Sequence, residues 1–173
     1  MGRLSGKNAI ITGAAGGIGL ETAILMSREG ASVLMTDVTV TGLEKALAKV
    51  KDVVPVREGR LEALAVNVAR ESDVEAAVSH LDAWGGVDVM FNNAGIMHAQ
   101  DGDAEECPEE IWDLTQNINV KGVWVFDSTL CVLRLSIHLF YKTGWEMTVP
   151  SDFAEKSIFQ QVGLEKQSNK LRL

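Results

Sequence analysis

Short apolar runs alternate with longer amphipathic stretches through the first two thirds of the chain. Runs that end at Gly, Asp or Asn predict four buried strands, at 8–12, 32–36, 61–66 and 87–91. Apolar positions spaced by three or four residues predict helices over 20–28, 41–50 and 71–84, and a fourth helix that begins at Pro108. This alternation favours the α/β class, with a doubly wound parallel sheet and helices on both faces.

A different pattern begins at Val123, where a run rich in Val, Leu, Ile and aromatic residues extends to Tyr141. The run is interrupted by ionisable residues: Asp127, Arg134 and His138. Charged groups are costly at the depth of a bilayer, which argues against a membrane-spanning helix. Two alternatives stay open, a helix buried in the protein and an apolar tail with no surface to pack against.

Composition and charge mainly exclude classes of function. The net charge of -8 and the lack of a basic run argue against nucleic-acid binding. Cys107 and Cys131 do not stand in a metal-ligand spacing, so we expect small apolar thiols. We expect a cytosolic protein, because the N-terminus has no apolar signal segment.

Six acidic residues cluster before and at the start of the fourth predicted helix: Asp101, Asp103, Glu105, Glu106, Glu109 and Glu110. A metal site is one interpretation of the cluster. Sites for hard cations need a fixed order of ligands that is not found here, so a solvated loop and helix start is favoured. We therefore expect no metal.

Candidate chemistry begins with the glycine-rich run at 12–19, Thr-Gly-Ala-Ala-Gly-Gly-Ile-Gly, between the first strand and the first helix. In this context Gly13 allows a tight turn, and the glycines at 16 and 17 let the backbone approach a pyrophosphate. Gly19 allows the helix to pack closely on the strand. The phosphates would meet N–H groups at the positive end of the helix. This favours a Rossmann-type dinucleotide site over a glycine-rich turn that binds nothing.

Asp37 ends the second strand, 18 residues after Gly19. A carboxylate at this place can accept hydrogen bonds from the adenosine ribose and would repel a 2′-phosphate. Neither the glycine loop nor the segment directly after Asp37 contains Arg or Lys. NAD is therefore expected in preference to NADP, although an Asp that caps the next helix is the alternative.

Three motifs in order resemble the short-chain dehydrogenase/reductase family. They are Thr-Gly-x-x-x-Gly-x-Gly at 12–19, Asn-Asn-Ala-Gly at 92–95 after the fourth strand, and Asn119-Val120-x-Gly122. The resemblance covers residues 3 to about 124, roughly the first half of a typical member. It implies reversible hydride transfer between a nicotinamide dinucleotide and a small-molecule alcohol or ketone.

The resemblance also assigns roles to matching positions. The cofactor-binding residues would be Thr12, Gly13, Gly17, Ile18, Gly19, Asp37, Asn67, Val68, Asn93, Ala94 and Gly95. Asn67-Val68 stands where the family often has Asp-Val against the adenine, and an amide can still hydrogen-bond there. Asn93–Gly95 would border the nicotinamide-side ribose. Asn119 is the catalytic candidate, because the family Asn at this place helps to organise a proton-relay water.

Family catalysis also needs a Ser, a Tyr and a Lys four residues after the Tyr, since a phenol needs a nearby cation to work near neutral pH. Tyr141 is the one tyrosine, and Trp145 stands in the Lys position. Lys142 is adjacent to the tyrosine, and the nearby serines fall where no strand is predicted: Ser128 and Ser136.

We therefore expect an incomplete Rossmann-type domain over 1–124, truncated after about four strands, and a non-matching tail over 125–173. Two interpretations follow. The chain is either an oxidoreductase whose sequence is cut or altered after residue 124, or a non-catalytic dinucleotide-binding module that can pair with a full-length relative. The expected partners exclude nucleic acid and membrane, and a complete protein of this kind can form homo-oligomers.

Overall fold

The computed structural model describes residues 2–56, 58–103 and 105–133, and the expected alternation of strands and helices is present in these ranges. The strands are β1 (Asn8–Thr12), β2 (Ser32–Asp37), β3 (Leu61–Ala65) and β4 (Val89–Phe91). They form one parallel sheet in the order β3-β2-β1-β4. The α/β class and the doubly wound parallel sheet are therefore confirmed.

The helices are α1 (Gly17–Arg28), α2 (Val40–Val53), α3 (Glu71–His80), α4 (Glu109–Gln116) and α5 (Gly122–Leu133). Helix α1 begins three residues earlier than predicted, inside the glycine-rich run. Helix α3 is shorter than predicted, because its last turn, Leu81–Trp84, tightens to a 3₁₀ turn. Gly85 and Gly86 end that turn with φ of +95° and +107°, a conformation that favours glycine.

Side chains alternate across the sheet and fill two separate cores. Ile10 and Leu34 face a layer built from α3 and α5, whereas Ile11 and Met35 face α1 and α2. Strands β1 and β2 are buried on both faces, as their continuous apolar runs predict. The two layers bring all the loops that follow the strands to one edge of the sheet.

Helix α5 lies in the apolar segment for which the sequence left two alternatives. It is a helix with a buried face, because Val125, Phe126 and Leu130 are at most 3% exposed and pack with α3 against the sheet. It crosses residue 124, where we expected the domain to stop. No helix among the described residues is long and apolar enough to cross a membrane. Residues from 134 onward lie outside the described ranges.

The first prediction concerns this buried face. We expect Phe126→Ala to lower the free energy of unfolding by about 3–5 kcal/mol, because it removes a fully buried ring. Trp124 is 49% exposed on the same helix, so Trp124→Ala is the control, with a loss of about 1 kcal/mol or less. Urea denaturation measures both. Equal losses for the two variants would contradict the packing of α5.

Candidate functional site

The loops after β1 and β4 flank a crevice at the carboxyl edge of the sheet. The chain runs from β1 through β2 to β3 in one direction and then returns to place β4 on the other side of β1. In open α/β sheets, ligands bind in the crevice where the strand order reverses in this way. The crevice therefore lies between the glycine-rich loop, residues 13–16, and the segment that follows β4.

The glycines of the run at 12–19 fall into two groups. A Cβ on Gly19 would overlap the carbonyl oxygen of Gly13, and Gly13 itself has φ of +65°. These two glycines let α1 contact the end of β1. A Cβ on Gly16 or Gly17 would meet no atom within 4 Å, so these positions face open space. Ile18 is 72% exposed beside them.

The positive N-terminal end of the α1 dipole is not compensated by a capping side chain or an acidic residue of the helix. Its N-cap residue is Gly16, which has no side chain to accept a hydrogen bond, and its first turn has no acidic residue. Helices α3 and α4 each have two acidic residues in the first turn, whereas α2, like α1, has none. Free N–H groups and the helix dipole favour an anion at this place, and the open space at Gly16 and Gly17 gives it room.

The Asp37 carboxylate ties the glycine loop to the end of β2. Its Oδ2 accepts a hydrogen bond from the Ala15 N–H at 3.2 Å, and its Oδ1 accepts one from the Thr39 N–H at 3.0 Å. Each carboxylate oxygen has a second lone pair, so hydrogen bonds from a ribose remain chemically available. The neighbouring Ala14 and Val38 contribute no positive charge.

Thr12 and Asn93 lock the segment after β4 against the end of β1. The Thr12 Oγ1 accepts hydrogen bonds from the N–H groups of Asn93 and Ala94, both at 2.9 Å. The Asn93 side-chain amide donates to the carbonyl oxygens of Thr12 at 2.9 Å and Gly13 at 3.3 Å. Thr12 is 1% exposed, so its hydroxyl acts inside the protein and positions the backbone that borders the crevice.

Asn119 holds the same segment from the opposite side. Its Oδ1 accepts from the Ile96 N–H and its Nδ2 donates to the Ile96 carbonyl oxygen, both at 2.8 Å. Asn119 lies in a π-helical turn, Asn117–Lys121, between α4 and α5. The sequence analysis missed this turn, because the one-residue insertion leaves no pattern distinct from an α-helix. Turns of this kind are frequent at functional sites.

Asn67 and Val68 follow β3 at the same edge, and the Val66 N–H donates to the Asp37 carbonyl oxygen at 2.9 Å. The Asn67 Oδ1 accepts from the Ala69 N–H at 3.0 Å and so closes a local turn. Val68 is 9% exposed and packs in the core, where a Cβ on Gly122 would contact it. The structure therefore directs the side chain of Val68 toward α5, and Val68 can meet an adenine only through its backbone.

The other candidate groups have local roles or lie outside the described residues. The Asp103 carboxylate accepts from the N–H groups of Glu105 and Glu106, both at 3.1 Å, and the described part of the chain holds no group of three or more potential metal ligands. Partial burial and the Asp101 carboxylate raise the pKa of the Cys107 thiol, which favours its protonated form. The remaining residues of the catalytic comparison are outside the described ranges: Ser136, Tyr141, Lys142 and Trp145.

Comparison with known proteins gives a family match over a longer part of the chain than the three sequence motifs cover. The family model for short chain dehydrogenases matches residues 7–135. The chain is 34% identical over 136 residues to the uncharacterised oxidoreductase YxbG of Bacillus subtilis, with 78% of this chain and 48% of that protein covered. It is 37% identical over 123 residues to the 3-oxoacyl-(acyl-carrier-protein) reductase FabG of Thermotoga maritima, with 70% and 48% covered.

A solved structure of a related reductase is similar to this chain in both sequence and fold. It is the 3-ketoacyl-(acyl-carrier-protein) reductase from Brucella melitensis complexed with NADH, at 35% identity and a TM-score of 0.64. The match covers 73% of this chain and 49% of that one. The chain thus spans about half the length of each of these three proteins.

The contact between α1 and β1 gives a second prediction. We expect Gly19→Ala to lower the free energy of unfolding by about 2–3 kcal/mol, since its Cβ would displace the Gly13 backbone. Gly16→Ala is the matched control in the same glycine-rich run, with a loss below about 1 kcal/mol, because its Cβ meets open space. Urea denaturation of both variants is the measurement. If Gly19→Ala is no less stable than Gly16→Ala, the close contact between Gly19 and Gly13 is contradicted.

The Thr12 hydroxyl gives a third prediction. Thr12→Val keeps the shape of the side chain but leaves two N–H groups without their acceptor, and we expect a loss of about 2–4 kcal/mol. Thr12→Ser keeps the oxygen and should lose about 1 kcal/mol. Chemical denaturation with amide exchange at Asn93 and Ala94 measures the effect. Similar stabilities for the Val and Ser variants would exclude this role of the hydroxyl.

Proposed function

This chain belongs to the short-chain dehydrogenase family, and from that premise we propose that it forms the dinucleotide-binding part of an NAD-dependent oxidoreductase. The proposed reaction transfers a hydride between NAD(H) and a small alcohol or ketone. The observation that carries the proposal is the open, uncompensated N-terminus of α1, which faces the crevice beside Asp37 and Asn93. A phosphate-bearing ligand fits this combination of free N–H groups, open space and positive dipole.

Each part of the crevice has a task in this proposal. The N–H groups of Gly17, Ile18 and Gly19 donate to the pyrophosphate, and the Asp37 carboxylate accepts from the ribose hydroxyls while it retains its bonds to the loop. The segment Asn93–Gly95 limits the crevice on the β4 side, where the nicotinamide ribose would lie. Asn67 and the backbone of Val68 border the adenine side. When bound, the nicotinamide supplies or accepts the hydride.

Asn119 is the proposed catalytic residue among those described. Its amide uses one oxygen lone pair and one N–H on Ile96. One lone pair and one N–H remain by count, and the side chain is exposed. These two groups suit a water molecule that passes a proton toward a substrate oxygen. The fixed bonds to Ile96 would hold that water at one place.

The remaining family chemistry supports a second candidate. In the 173 residues the one tyrosine is Tyr141, and Trp145 stands where a Lys would lower the pKa of the phenol. This favours a chain that binds dinucleotide without completing proton transfer, either as a binding module or as a partner of a longer relative. A cytosolic location is proposed for either candidate, and homo-oligomers are proposed for a complete oxidoreductase.

Cofactor preference gives the fourth prediction. We expect NADH to bind roughly 10- to 100-fold more tightly than NADPH, because the Asp37 carboxylate would repel a 2′-phosphate and residues 12–19 and 38–44 contain no Arg or Lys. Asp37→Ala should reduce this preference at least about tenfold. Asp52→Ala removes an exposed carboxylate from α2 and is the matched control, with the wild-type preference.

Fluorescence titration of the full chain with each reduced cofactor is the measurement. Failure of both cofactors to bind would contradict the proposed function. Binding with an unchanged preference in the Asp37 variant would contradict only the role of Asp37 in specificity.

A further inference from the structure

Helix α5 contains a carboxylate in an otherwise apolar setting. Its sequence is Gly-Val-Trp-Val-Phe-Asp-Ser-Thr-Leu-Cys-Val-Leu, and Asp127 is its one acidic residue. Asp127 is half-buried, next to Phe126, which is fully buried, and near Val125 and Leu130. Removing a carboxylate from water is costly unless it accepts hydrogen bonds. An apolar residue would suit the packing of the helix better, so Asp127 needs another explanation.

One partner of the Asp127 carboxylate lies 35 residues earlier in the chain. The Asn92 Nδ2 donates a hydrogen bond to the Asp127 Oδ1 at 3.1 Å, in a partly buried position. A hydrogen bond to an ionised acceptor is roughly twice as strong as one between neutral groups. Asn92 directly follows the last residue of β4 and directly precedes Asn93–Gly95. The Asp127 carboxylate therefore holds the chain at Asn92, where the chain leaves β4 and begins to border the crevice.

The segment from Asn92 to Ile96 needs such contacts because β4 gives it little support. Strand β4 has three residues and, among the described strands, pairs with β1 alone. Beyond β4, hydrogen bonds from side chains replace the backbone hydrogen bonds of the sheet. Thr12 accepts from the next two N–H groups on one side, and Asn119 pairs with Ile96 on the other. Successive side chains point to opposite faces, so Asn92 reaches α5 while Asn93 reaches the glycine loop.

We propose that Asp127 is a positioning residue for the dinucleotide site: it holds Asn92 and thereby fixes Asn93–Gly95 between the glycine loop and Asn119. The inference rests on the proposed function, since it assigns this segment to the cofactor. Asp127 acts through Asn92 and does not touch the ligand. The Asn92–Asp127 hydrogen bond connects α5 to the segment after β4, as the Thr12 hydroxyl connects β1 to that segment.

Four variants of the full chain and one control test the proposal. Asp127→Ala and Asn92→Ala remove the two sides of the pair, and the double variant removes both. Asp127→Asn keeps an oxygen acceptor for Asn92. Ser128→Ala is the matched control, because Ser128 is half-buried on the same helix and its hydroxyl donates only locally, to the Val125 carbonyl oxygen at 3.0 Å.

The readouts are amide exchange of residues 93–96, amide exchange of β1 and β2 as a measure of global stability, and NADH affinity. We expect each single Ala variant to speed exchange at 93–96 about tenfold and to weaken NADH binding by a similar factor, with exchange of β1 and β2 faster by no more than that factor. At residues 93–96 the double variant should go no further than either single one, since each single variant already breaks the Asn92–Asp127 hydrogen bond. Asp127→Asn should stay within about threefold of wild type, and Ser128→Ala should equal it.

Wild-type exchange at 93–96 in Asp127→Ala, or effects that multiply in the double variant, would overturn the proposal. So would a loss of NADH affinity without faster exchange in this segment. If Asp127→Ala unfolds the chain, the other two variants decide: the proposal requires Asn92→Ala to release residues 93–96 and Asp127→Asn to keep them protected. A wild-type chain that does not bind NADH contradicts the proposed function, while the exchange results still decide whether Asp127 positions the segment.

Discussion

The contact between helix α1 and the end of strand β1 is the constraint on which the rest of the site depends. Gly19 lies so close to the Gly13 carbonyl oxygen that it cannot carry a larger side chain without moving the backbone, and a Cβ on Gly13 would crowd Asn93 and Ala94. This contact aims the first turn of α1 at the crevice. It also brings Gly13 within reach of the Asn93 amide, which bonds both Thr12 and Gly13. The helix, the loop and the segment after β4 are thus fixed together.

The hydrogen bonds that stabilise this edge are also the ones that shape it for a ligand. Asp37 accepts from Ala15 and Thr39, and Asn119 pairs with Ile96, so both side chains already hold backbone segments that border the crevice. A site that is arranged before the ligand arrives loses less conformational entropy on binding. It also means that a substitution at Asp37 alters the loop together with the charge.

The β4 side of the crevice is held mainly by side chains. Strand β4 is short, and three side chains from three different elements, Thr12, Asn119 and Asp127, hold the residues that follow it. Asp127 is the costly member, since it places a carboxylate in the apolar sequence of α5. Its cost is understandable if the order of this segment matters more than the packing of one helix face.

The sequence by itself determined the α/β class, the order of the strands and helices, the glycine-rich loop and the position of Asp37. These features follow from local periodicity and from glycine spacing, which short stretches of chain carry alone. Only the tertiary structure decided that α5 is a buried helix, that Asn119 sits in a π turn and that Val68 faces the core. It alone paired Asn92 with Asp127, because that bond joins residues 35 positions apart and depends on how α5 packs on the sheet.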